Sequence, residues 1–426
     1  MRRAGTCFLL GISLALALFF FADRVACLFQ KPYKSAIWGW DNTFYYFWLR
    51  GPLVRGDFDF SRDMAETHTL PEAQRLRYLA APRGTPDHPL NKYGLGWAVA
   101  EYPFYRLADG LAWVSGQPRD GYGPLYQFLL HLGQLFYGLA GLALSWRIVR
   151  RWVPDPEALW GVLLCWLGSF LFLYQTSILS MAHNTLFFAL AACTLCALKV
   201  EEGSASGWLP AGVSFFAGLA LITRYQAAVY LFFPAWAALR DVRRRRALHP
   251  GWLCGLAPVA LQAWAWRREF GSWVVYSYRG EAFDWLHPHS WEILVSPFHG
   301  LFYWSPALLL GLAGFLWWAR RTGGAVRRLW GASLVAAWYV NASWWAWWFG
   351  AAYGARGFEG CVLFFMLGTA WLLWRLRERP WARGAVLAAL VVLAAANVGL
   401  SYQARKNRLP EEAPVTHAEM LRALGF

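Results

Sequence analysis

The sequence predicts an all-α, polytopic membrane protein with about eleven transmembrane helices and further helices lying in the membrane interface. Of its 426 residues, 58% are hydrophobic and only 15% are charged, whereas soluble domains carry about a quarter charged residues. Aromatic residues make up 18% of the chain, with 29 tryptophans, which indicates wide contact with the bilayer interface. Repeated apolar runs of about 20 residues, each long enough to cross a bilayer, are the third observation.

The apolar runs lie at residues 6–29, 122–147, 157–175, 178–199, 207–223, 225–240, 250–267, 301–319, 328–346, 358–375 and 382–402. If the N-terminus is cytoplasmic, the cytoplasmic connections are residues 146–151, 199–207, 240–246, 320–328 and 375–383. All but residues 199–207 are strongly basic, as the positive-inside rule requires. We therefore expect one membrane-embedded domain, residues 1–426, whose outer side carries the loop 30–121, the loop 268–300 and the tail 403–426.

One further apolar segment, residues 93–114, is ambiguous because it contains Glu101, Arg106 and Asp109. A twelfth span there would move every later arginine cluster to the outside. We therefore expect it to form a helix in the membrane interface, as one of the juxtamembrane helices of the loop 30–121.

The net charge of +15 does not indicate a nucleic-acid-binding surface. Most arginines fall in short clusters between apolar runs, where they set the orientation in the membrane. The acidic run Asp57, Asp59 and Asp63 could hold a divalent cation, but a solvated edge of the loop is the simpler interpretation.

The predicted outer face carries one conspicuous acid. Asp41 lies about a dozen residues beyond the first apolar run, in the aromatic stretch 38–46. A lone carboxylate is energetically unfavourable there unless it has an ionic or hydrogen-bonding partner or a function. The other outer polar groups are spread along the chain and are basic or imidazole side chains: His88, Lys92, Arg224, Arg279, His299 and Arg356. A carboxylate among cations suits a reaction in which an acceptor hydroxyl loses its proton while a phosphate leaves.

Each of these side chains also has a simpler structural interpretation. Asp41 could cap an interfacial helix, and Arg224 could extend along the apolar surface to reach water. Lys92 could anchor the chain at the interface, His299 could be a hydrogen-bonded structural histidine, and Arg356 could be a structural cation.

Five stretches, in the same order along residues 38–360, resemble the membrane-embedded GT-C glycosyltransferases. The likeness is to bacterial relatives of the protein O-mannosyltransferases and of the lipid A aminoarabinose transferase. The stretches are residues 40–46 with 55–60 (WDNTFYY, RGDFDF), 88–96 (HPLNKYGLG), 218–224 (GLALITR), 296–306 (SPFHGLFYWSP) and 344–356 (WWAWWFGAAYGAR).

The resemblance implies inverting transfer of a hexosyl or pentosyl group from a polyprenyl-phosphate-linked donor to a hydroxyl of a lipid, glycan or protein acceptor. This would occur at the extracytoplasmic face of the bacterial inner membrane. By the same resemblance, Asp41 is the base, and Lys92, Arg224 and Arg356 hold the donor phosphate. Weaker substrate contacts are expected at Tyr45, His88, Arg279 and His299.

The sequence also departs from the family pattern. Several relatives have a second acid where this chain has Asn42, so no metal or other cofactor is expected. Tyr93-Gly94 stands where a proline is usual, which makes Lys92 a looser match.

Two other classes of function remain open. A transporter or flippase for a polyprenyl-linked or other amphiphilic substrate would use dispersed cations and aromatics without catalysis. A non-catalytic membrane scaffold would leave Asp41 and Arg356 without a role. One outward cavity shared by Asp41, Lys92, Arg224 and Arg356 would favour sugar transfer, whereas a polar route through the core would favour transport.

Overall fold

The computed structural model describes residues 2–30, 37, 39–68, 70–204, 206–245 and 249–426. Two residues of the sequence motifs, Trp38 in the first loop and Arg246 in a basic cluster, lie outside the described residues. Within these ranges the chain forms helices and no β-strand, with one isolated bridge between Phe283 and Trp344. The all-α prediction is therefore confirmed.

Nineteen α-helices follow one another in the described ranges. The first six are α1 Arg2–Phe29, α2 Trp40–Arg50, α3 Phe60–Glu66, α4 Glu72–Ala80, α5 Gly96–Val114 and α6 Pro124–Val149. The next six are α7 Glu157–Leu167, α8 Leu171–Thr176, α9 His183–Glu201, α10 Trp208–Thr223, α11 Phe232–Arg245 and α12 Leu256–Phe270. The last seven are α13 Glu292–Val295, α14 Leu301–Trp304, α15 Ala307–Arg321, α16 Ala325–Ser343, α17 Val362–Arg375, α18 Pro380–Arg405 and α19 His417–Leu424.

Shorter helical turns join several of these elements. A π-helical turn, Gly51–Arg55, follows α2. Turns of 3-10 helix occupy Tyr225–Tyr230, Pro250–Gly255, Arg356–Cys361 and Leu376–Glu378.

Each apolar run of the sequence coincides with one helix or with consecutive helical pieces. Among the described residues, five segments are long and apolar enough to cross a membrane by themselves: Ala4–Phe29, Pro124–Val149, His183–Glu201, Arg356–Glu378 and Pro380–Arg405. At 1.5 Å per residue, α1 spans about 42 Å, more than the bilayer core of about 30 Å. The run 157–175 is interrupted between α7 and α8, and some other runs consist of shorter helical pieces, so the count of eleven crossings stays a prediction.

The ambiguous segment 93–114 forms α5, which packs against α6. Glu101 on α5 is fully buried and accepts a hydrogen bond from Gln134 of α6 at 2.7 Å. Leu107, Leu111 and Trp113 are exposed, as expected for a helix that also contacts lipid. Its position in the membrane interface stays a prediction.

An ion-pair network, which we call the loop network, joins α2 to α3. Arg50 and Arg55 both pair with Asp63, whose side chain is fully buried, and both also pair with Glu66. The expectation that the acidic run is a solvated edge is therefore wrong for Asp63, because two arginines balance its charge inside the loop. The network fixes the end of the helix that carries Asp41.

Close packing of α15 against α17 positions the segment that contains Arg356. A Cβ atom at Gly314 would lie 1.9 Å from the carbonyl oxygen of Gly368, so a larger residue could not occupy either position without separating the helices. The residues that precede each helix, the 296–306 motif and the turn Arg356–Cys361, are held together as a result.

Candidate active site

Asp41 lies in the first turn of α2, where the helix dipole favours a negative charge. Its Oδ1 accepts a hydrogen bond of 2.5 Å from the Tyr93 hydroxyl, and its Oδ2 lies 3.4 Å from Nη2 of Arg356. The N-cap of α2 is Gly39, and no side chain caps this helix. Asp41 is therefore not a helix cap, and its contacts join segments 315 residues apart in sequence.

The pKa of Asp41 is lowered from its usual value. Burial raises it, but the charge of Arg356, the hydrogen bond from Tyr93 and the charges of Lys92 and Arg224 lower it by more. The side chain nevertheless stays 29% exposed. Asp41 is thus an ionised, accessible carboxylate at neutral pH.

A cavity of about 430 Å³ lies beside Asp41. The described residues that line it come from the end of α1, the start of α2, α8 with the turn after it, the end of α14, the loop before Arg356, the end of α18 and the segment after α18. Asp41 and Arg356 both line this cavity, whereas Lys92 and Arg224 do not. The fold therefore brings Asp41 and Arg356 to a shared cavity, but the cavity expected to be shared by all four side chains is not observed, because Lys92 and Arg224 do not line it.

Arg356 begins the 3-10 turn that precedes α17. Its Nη2 donates to the carbonyl oxygen of Phe349 at 2.6 Å, and its Nη1 lies 3.4 Å from the Met181 sulfur. Phe349 has a φ of 66°, a left-handed conformation that is rare for a bulky residue and marks local strain. This strained turn directs a backbone carbonyl at Arg356 and so holds the guanidinium beside Asp41.

Arg224 follows α10 in an extended conformation that interrupts the helical chain. Its Nη2 lies 3.2 Å from Nε2 of His183, and its Nε lies 3.5 Å from the carboxylate of Glu359. The other oxygen of Glu359 is 3.2 Å from Nδ1 of His183. Because Glu359 and His183 are almost fully buried, they fix the guanidinium in place, and the charge of Arg224 still reaches Asp41 and Tyr45.

Lys92 forms an ion pair with Glu281 and lies over the rings of Tyr278 and Tyr93, with Nζ 5.0 Å and 5.5 Å from their centroids. Because Tyr93 is the residue that donates to Asp41, Lys92 and Asp41 lie on either side of one tyrosine. The charge of Lys92 lowers the pKa of Asp41.

Two of the weaker candidates lie close to this group. Tyr45 is buried, and its ring centroid is 4.9 Å from that of Tyr93. His299 is buried, with Nδ1 2.7 Å from the carbonyl oxygen of Trp348. Burial lowers the pKa of His299 to about 4, and the charge of Arg356 lowers it as well, so His299 is neutral at physiological pH.

The structure does not bring the remaining two candidates to Asp41. His88 is buried, with Nδ1 3.0 Å from the carbonyl oxygen of Ala81 and Nε2 3.3 Å from the Ser61 hydroxyl. Arg279 is exposed and lies over the Phe270 ring at 5.5 Å. Both side chains contact the loops that surround the group.

Sequence reasoning missed Glu359, His183, Tyr93 and Glu281. Glu359 follows Arg356 by three residues at the start of an apolar run, and His183 stands alone in another. An ionisable residue inside a membrane segment is by default a functional candidate, so both could have been found. The ion pair between Lys92 and Glu281 could not be predicted in this way, because 189 residues separate the two in the sequence.

No cluster of three or more metal-ligating side chains (His, Cys, Asp or Glu) occurs in the part of the chain that the structure describes. The charged groups around Asp41 alternate in sign instead. They can bind an anion and accept a proton.

Two solved structures share this fold. The crystal structure of ArnT from Cupriavidus metallidurans in the apo state matches 99% of this chain and 73% of that chain, with a TM-score of 0.55 and 14% sequence identity. The crystal structure of the same protein bound to undecaprenyl phosphate matches 100% of this chain and 74% of that chain, with a TM-score of 0.51 and 15% identity. No family profile and no curated protein sequence matches this chain. The fold predicted from the five motifs is confirmed.

Proposed function

We propose that this protein is an inverting glycosyltransferase that moves a sugar from a polyprenyl-phosphate-linked donor to an acceptor hydroxyl. The contact between Asp41 and Arg356 at the wall of the 430 Å³ cavity carries the proposal, because it joins a proton acceptor to an anion-binding group. The neighbour solved with undecaprenyl phosphate has the same fold over the whole of this chain, which supports a polyprenyl phosphate as the carrier.

Asp41 acts as the base in this proposal. Its pKa lies below the usual value, so the carboxylate is free to accept the proton of an acceptor hydroxyl at neutral pH. The hydrogen bond from Tyr93 orients the carboxylate, which remains partly exposed. The acceptor oxygen attacks the anomeric carbon from the face opposite the phosphate, so the configuration inverts.

In this proposal Arg356, which lines the cavity, contacts the departing phosphate, and Arg224 and Lys92, which do not line it, add positive charge nearby. Negative charge accumulates on the phosphate oxygens as the glycosidic bond breaks, and preorganised cations lower the energy of that state. Arginine offers two parallel N–H donors and lysine a point charge. Phe349, Glu359 and Glu281 hold the three side chains before the donor arrives, so little reorganisation is needed during transfer.

The extracytoplasmic face is the proposed side of the reaction. The arginine clusters of the connections 146–151, 240–246, 320–328 and 375–383 mark the opposite side as cytoplasmic. The transferred sugar is expected to be a hexosyl or pentosyl group, and the acceptor is a hydroxyl of a lipid, glycan or protein.

Mass spectrometry of envelope glycans and lipids tests the proposal in cells. Cells without the protein should lose one sugar modification and accumulate a polyprenyl-phosphate sugar, and wild-type protein should reverse both changes. Complementation with Asp41→Asn should leave the deletion pattern. Identical glycans and lipids in the two strains would refute sugar transfer, whereas full complementation by Asp41→Asn would refute the assigned base.

A further inference from the structure

The loop between α12 and α13 exposes several large apolar side chains. Leu286 is 85% exposed, Val274 82% and Trp291 74%. With similar side chains in α13 and just after α16, they form a surface that we call the aromatic patch: Trp273, Val274, Tyr276, Trp285, Leu286, Trp291, Val295 and Trp345. Exposed apolar side chains that are grouped in this way mark a contact with lipid or with another protein.

Hydrogen bonds hold this loop against the end of α16. The backbone N–H of Asp284 donates to the carbonyl oxygen of Ser343 at 2.7 Å. The Tyr339 hydroxyl donates to the carbonyl oxygen of Trp285 at 2.7 Å, and the rings of these two residues are 5.6 Å apart. The loop is therefore fixed on α16, and the exposure of its aromatic side chains follows from the fold.

The aromatic patch is contiguous with apolar surface on α12 and α16. Both helices fall in apolar runs that are expected to cross the membrane, and both expose large apolar side chains, such as Trp264 on α12 and Val335 on α16. Trp273 lies just beyond the end of α12, and Trp285 packs on the exposed ring of Tyr339 in α16. The patch thus extends the surface with which these two helices face lipid.

The composition of the aromatic patch fits the headgroup layer of a bilayer. Four of its eight residues are tryptophan and one is tyrosine, the side chains that concentrate where headgroups meet water. Two exposed polar residues, Asp284 and His287, lie close to Leu286 in the sequence. They exclude a position in the hydrocarbon core, where a charged side chain is costly.

Two members of the aromatic patch hold Glu281 in place. Nε1 of Trp345 donates to one carboxylate oxygen of Glu281 at 3.2 Å, and the Tyr276 hydroxyl donates to the backbone carbonyl oxygen of Glu281 at 2.9 Å. The other carboxylate oxygen of Glu281 pairs with Lys92. The position of the patch therefore helps to fix the position of Lys92.

We propose that the aromatic patch rests in the headgroup layer of the leaflet on the Asp41 side, and that this contact keeps Lys92 at the level of the lipid phosphates. The lipid contact is independent of the proposed function. The positioning of Lys92 rests on that function, because Lys92 there adds positive charge near the donor phosphate. A polyprenyl phosphate in the bilayer has its phosphate at the headgroup level, so a cation held at that level attracts it.

Fluorescence quenching tests the lipid contact. The full-length variant Leu286→Cys is labelled with bimane, with the two exposed cysteines removed by Cys7→Ser and Cys254→Ser, and is reconstituted in phosphatidylcholine vesicles. We expect lipids brominated close to the headgroup to remove most of the bimane fluorescence, and iodide in the water to remove little. Trp291→Cys in the same background should give the same result, and it replaces Leu286→Cys if that variant fails to fold.

Two labelled sites provide matched controls. Asp87→Cys lies in an exposed polar turn between α4 and α5, and iodide should quench it strongly. Val392→Cys lies on the exposed surface of α18, and lipids brominated deep in the acyl chain should quench it. Strong iodide quenching at both patch sites would place the aromatic patch in water and overturn the proposal. Protection of both sites from iodide and from every brominated lipid would mean that protein covers the patch, which also overturns it.

A comparison of two ligands tests the positioning of Lys92. Undecaprenyl phosphate resides in the bilayer, whereas geranyl phosphate dissolves in water. We expect the combined change Leu286→Asp and Trp291→Asp, which places two charges in the headgroup layer, to weaken binding of undecaprenyl phosphate about fivefold or more. Binding of geranyl phosphate should not change. Leu421→Asp, at an exposed leucine of α19 outside the aromatic patch, should alter neither affinity.

The outcomes of this comparison are distinct. Equal weakening of both ligands would mean that the substitutions disturb the site itself, and unchanged binding of both would separate the patch from Lys92. Either result would overturn the positioning role. Failure of the proposed function has another signature, because the wild-type protein would then bind neither phosphate, while the quenching experiment would still report whether the patch contacts lipid.

Discussion

At the scale of single residues, Asp41 and Arg356 depend on each other. Arg356 is the strongest of the groups that keep the pKa of Asp41 low, against a burial that raises it. The same arginine is the cation closest to the carboxylate, at 3.4 Å. One side chain therefore affects both the binding of an anion and the ionisation of the base.

We predict that Arg356→Gln makes sugar transfer more sensitive to acid. In the wild type, Asp41 stays ionised at every pH above its usual pKa of about 3.9, so its titration does not limit the rate between pH 5 and 8. Without Arg356 the pKa of Asp41 rises, and activity falls as the pH drops through the raised value. The measurement is the ratio of kcat/KM at pH 5 to that at pH 8.

Arg224→Gln is the control for this pH profile. It should also weaken the donor interaction, but Arg224 contributes least among the named groups that lower the pKa of Asp41. The activity of Arg224→Gln should therefore fall less at acid pH than the activity of Arg356→Gln. The same profile in wild type and Arg356→Gln would contradict the proposed ionisation of Asp41.

Glu359 is a positioning residue that acts through Arg224. Its carboxylate is fully buried between His183 and Arg224. We predict that Glu359→Gln raises the KM for the polyprenyl-phosphate donor about tenfold, the effect of loosening one charged hydrogen bond, with a much smaller change in kcat. If Glu359 acts through Arg224, adding Glu359→Gln to Arg224→Gln should cause little further loss.

Glu157→Gln is the matched control for Glu359→Gln. Glu157 is also buried and paired with an arginine, Arg383, at 2.7 Å. Arg383 and Arg405 are 22 residues apart in α18, a distance of roughly 33 Å along the helix, so this pair is far from the cavity. Glu157→Gln should lower stability without changing the KM for the donor, and a similar rise in KM would refute the positioning role.

The sequence was informative about single charged residues for which their sequence neighbours gave no structural reason. Asp41 and Arg356 stood alone beside apolar runs, and the structure brings them into contact. The contacts of Lys92 and Arg224 with Glu281 and Glu359 were not predictable, because they depend on how distant segments fold together.

At the scale of elements, the loop network joins the end of α2 to α3. Asp63 is fully buried and is paired with Arg50 and Arg55. Removing one member of a buried pair leaves uncompensated charge. The loop that carries Asp41 therefore depends on this carboxylate.

We predict that Asp63→Ala lowers the free energy of unfolding by about 3–5 kcal/mol, as loss of a buried ion-pair partner does. Asp57→Ala is the matched control in the same loop. Asp57 pairs with Arg62 at 3.6 Å, and both side chains are partly or largely exposed, so its loss should cost less than about 1 kcal/mol. Chemical unfolding in detergent compares the two, and equal stabilities would contradict a structural loop network.

Hydropathy predicted where the helices lie, but it did not predict where each helix ends. The eleven apolar runs coincide with helical segments, since a spanning chain must satisfy its own backbone hydrogen bonds. The break at Arg224 was visible as the gap between the runs 207–223 and 225–240, whereas the interruption between α7 and α8 was not. At Arg224 the reason is tertiary, because Glu359 and His183 hold an extended residue there.

At the scale of the whole molecule, the fold of ArnT from Cupriavidus metallidurans recurs at 14% identity over 99% of this chain. The five motifs predicted that fold because they lie at the junctions where loops meet spanning helices. The end of α1, the start of α2, the turn before α17 and the end of α18 then converge on one cavity. Such a cavity can form only when segments distant in sequence fold together.

The most direct test of the central claim is donor turnover by the purified full-length protein. The wild type, Asp41→Asn and the control Asp57→Asn are each incubated with polyprenyl-phosphate sugars and an envelope lipid extract, and released polyprenyl phosphate is measured by mass spectrometry. Loss of the general base should reduce release by Asp41→Asn at least about 100-fold, with Asp57→Asn close to the wild type. Turnover by Asp41→Asn at the wild-type rate would contradict the account.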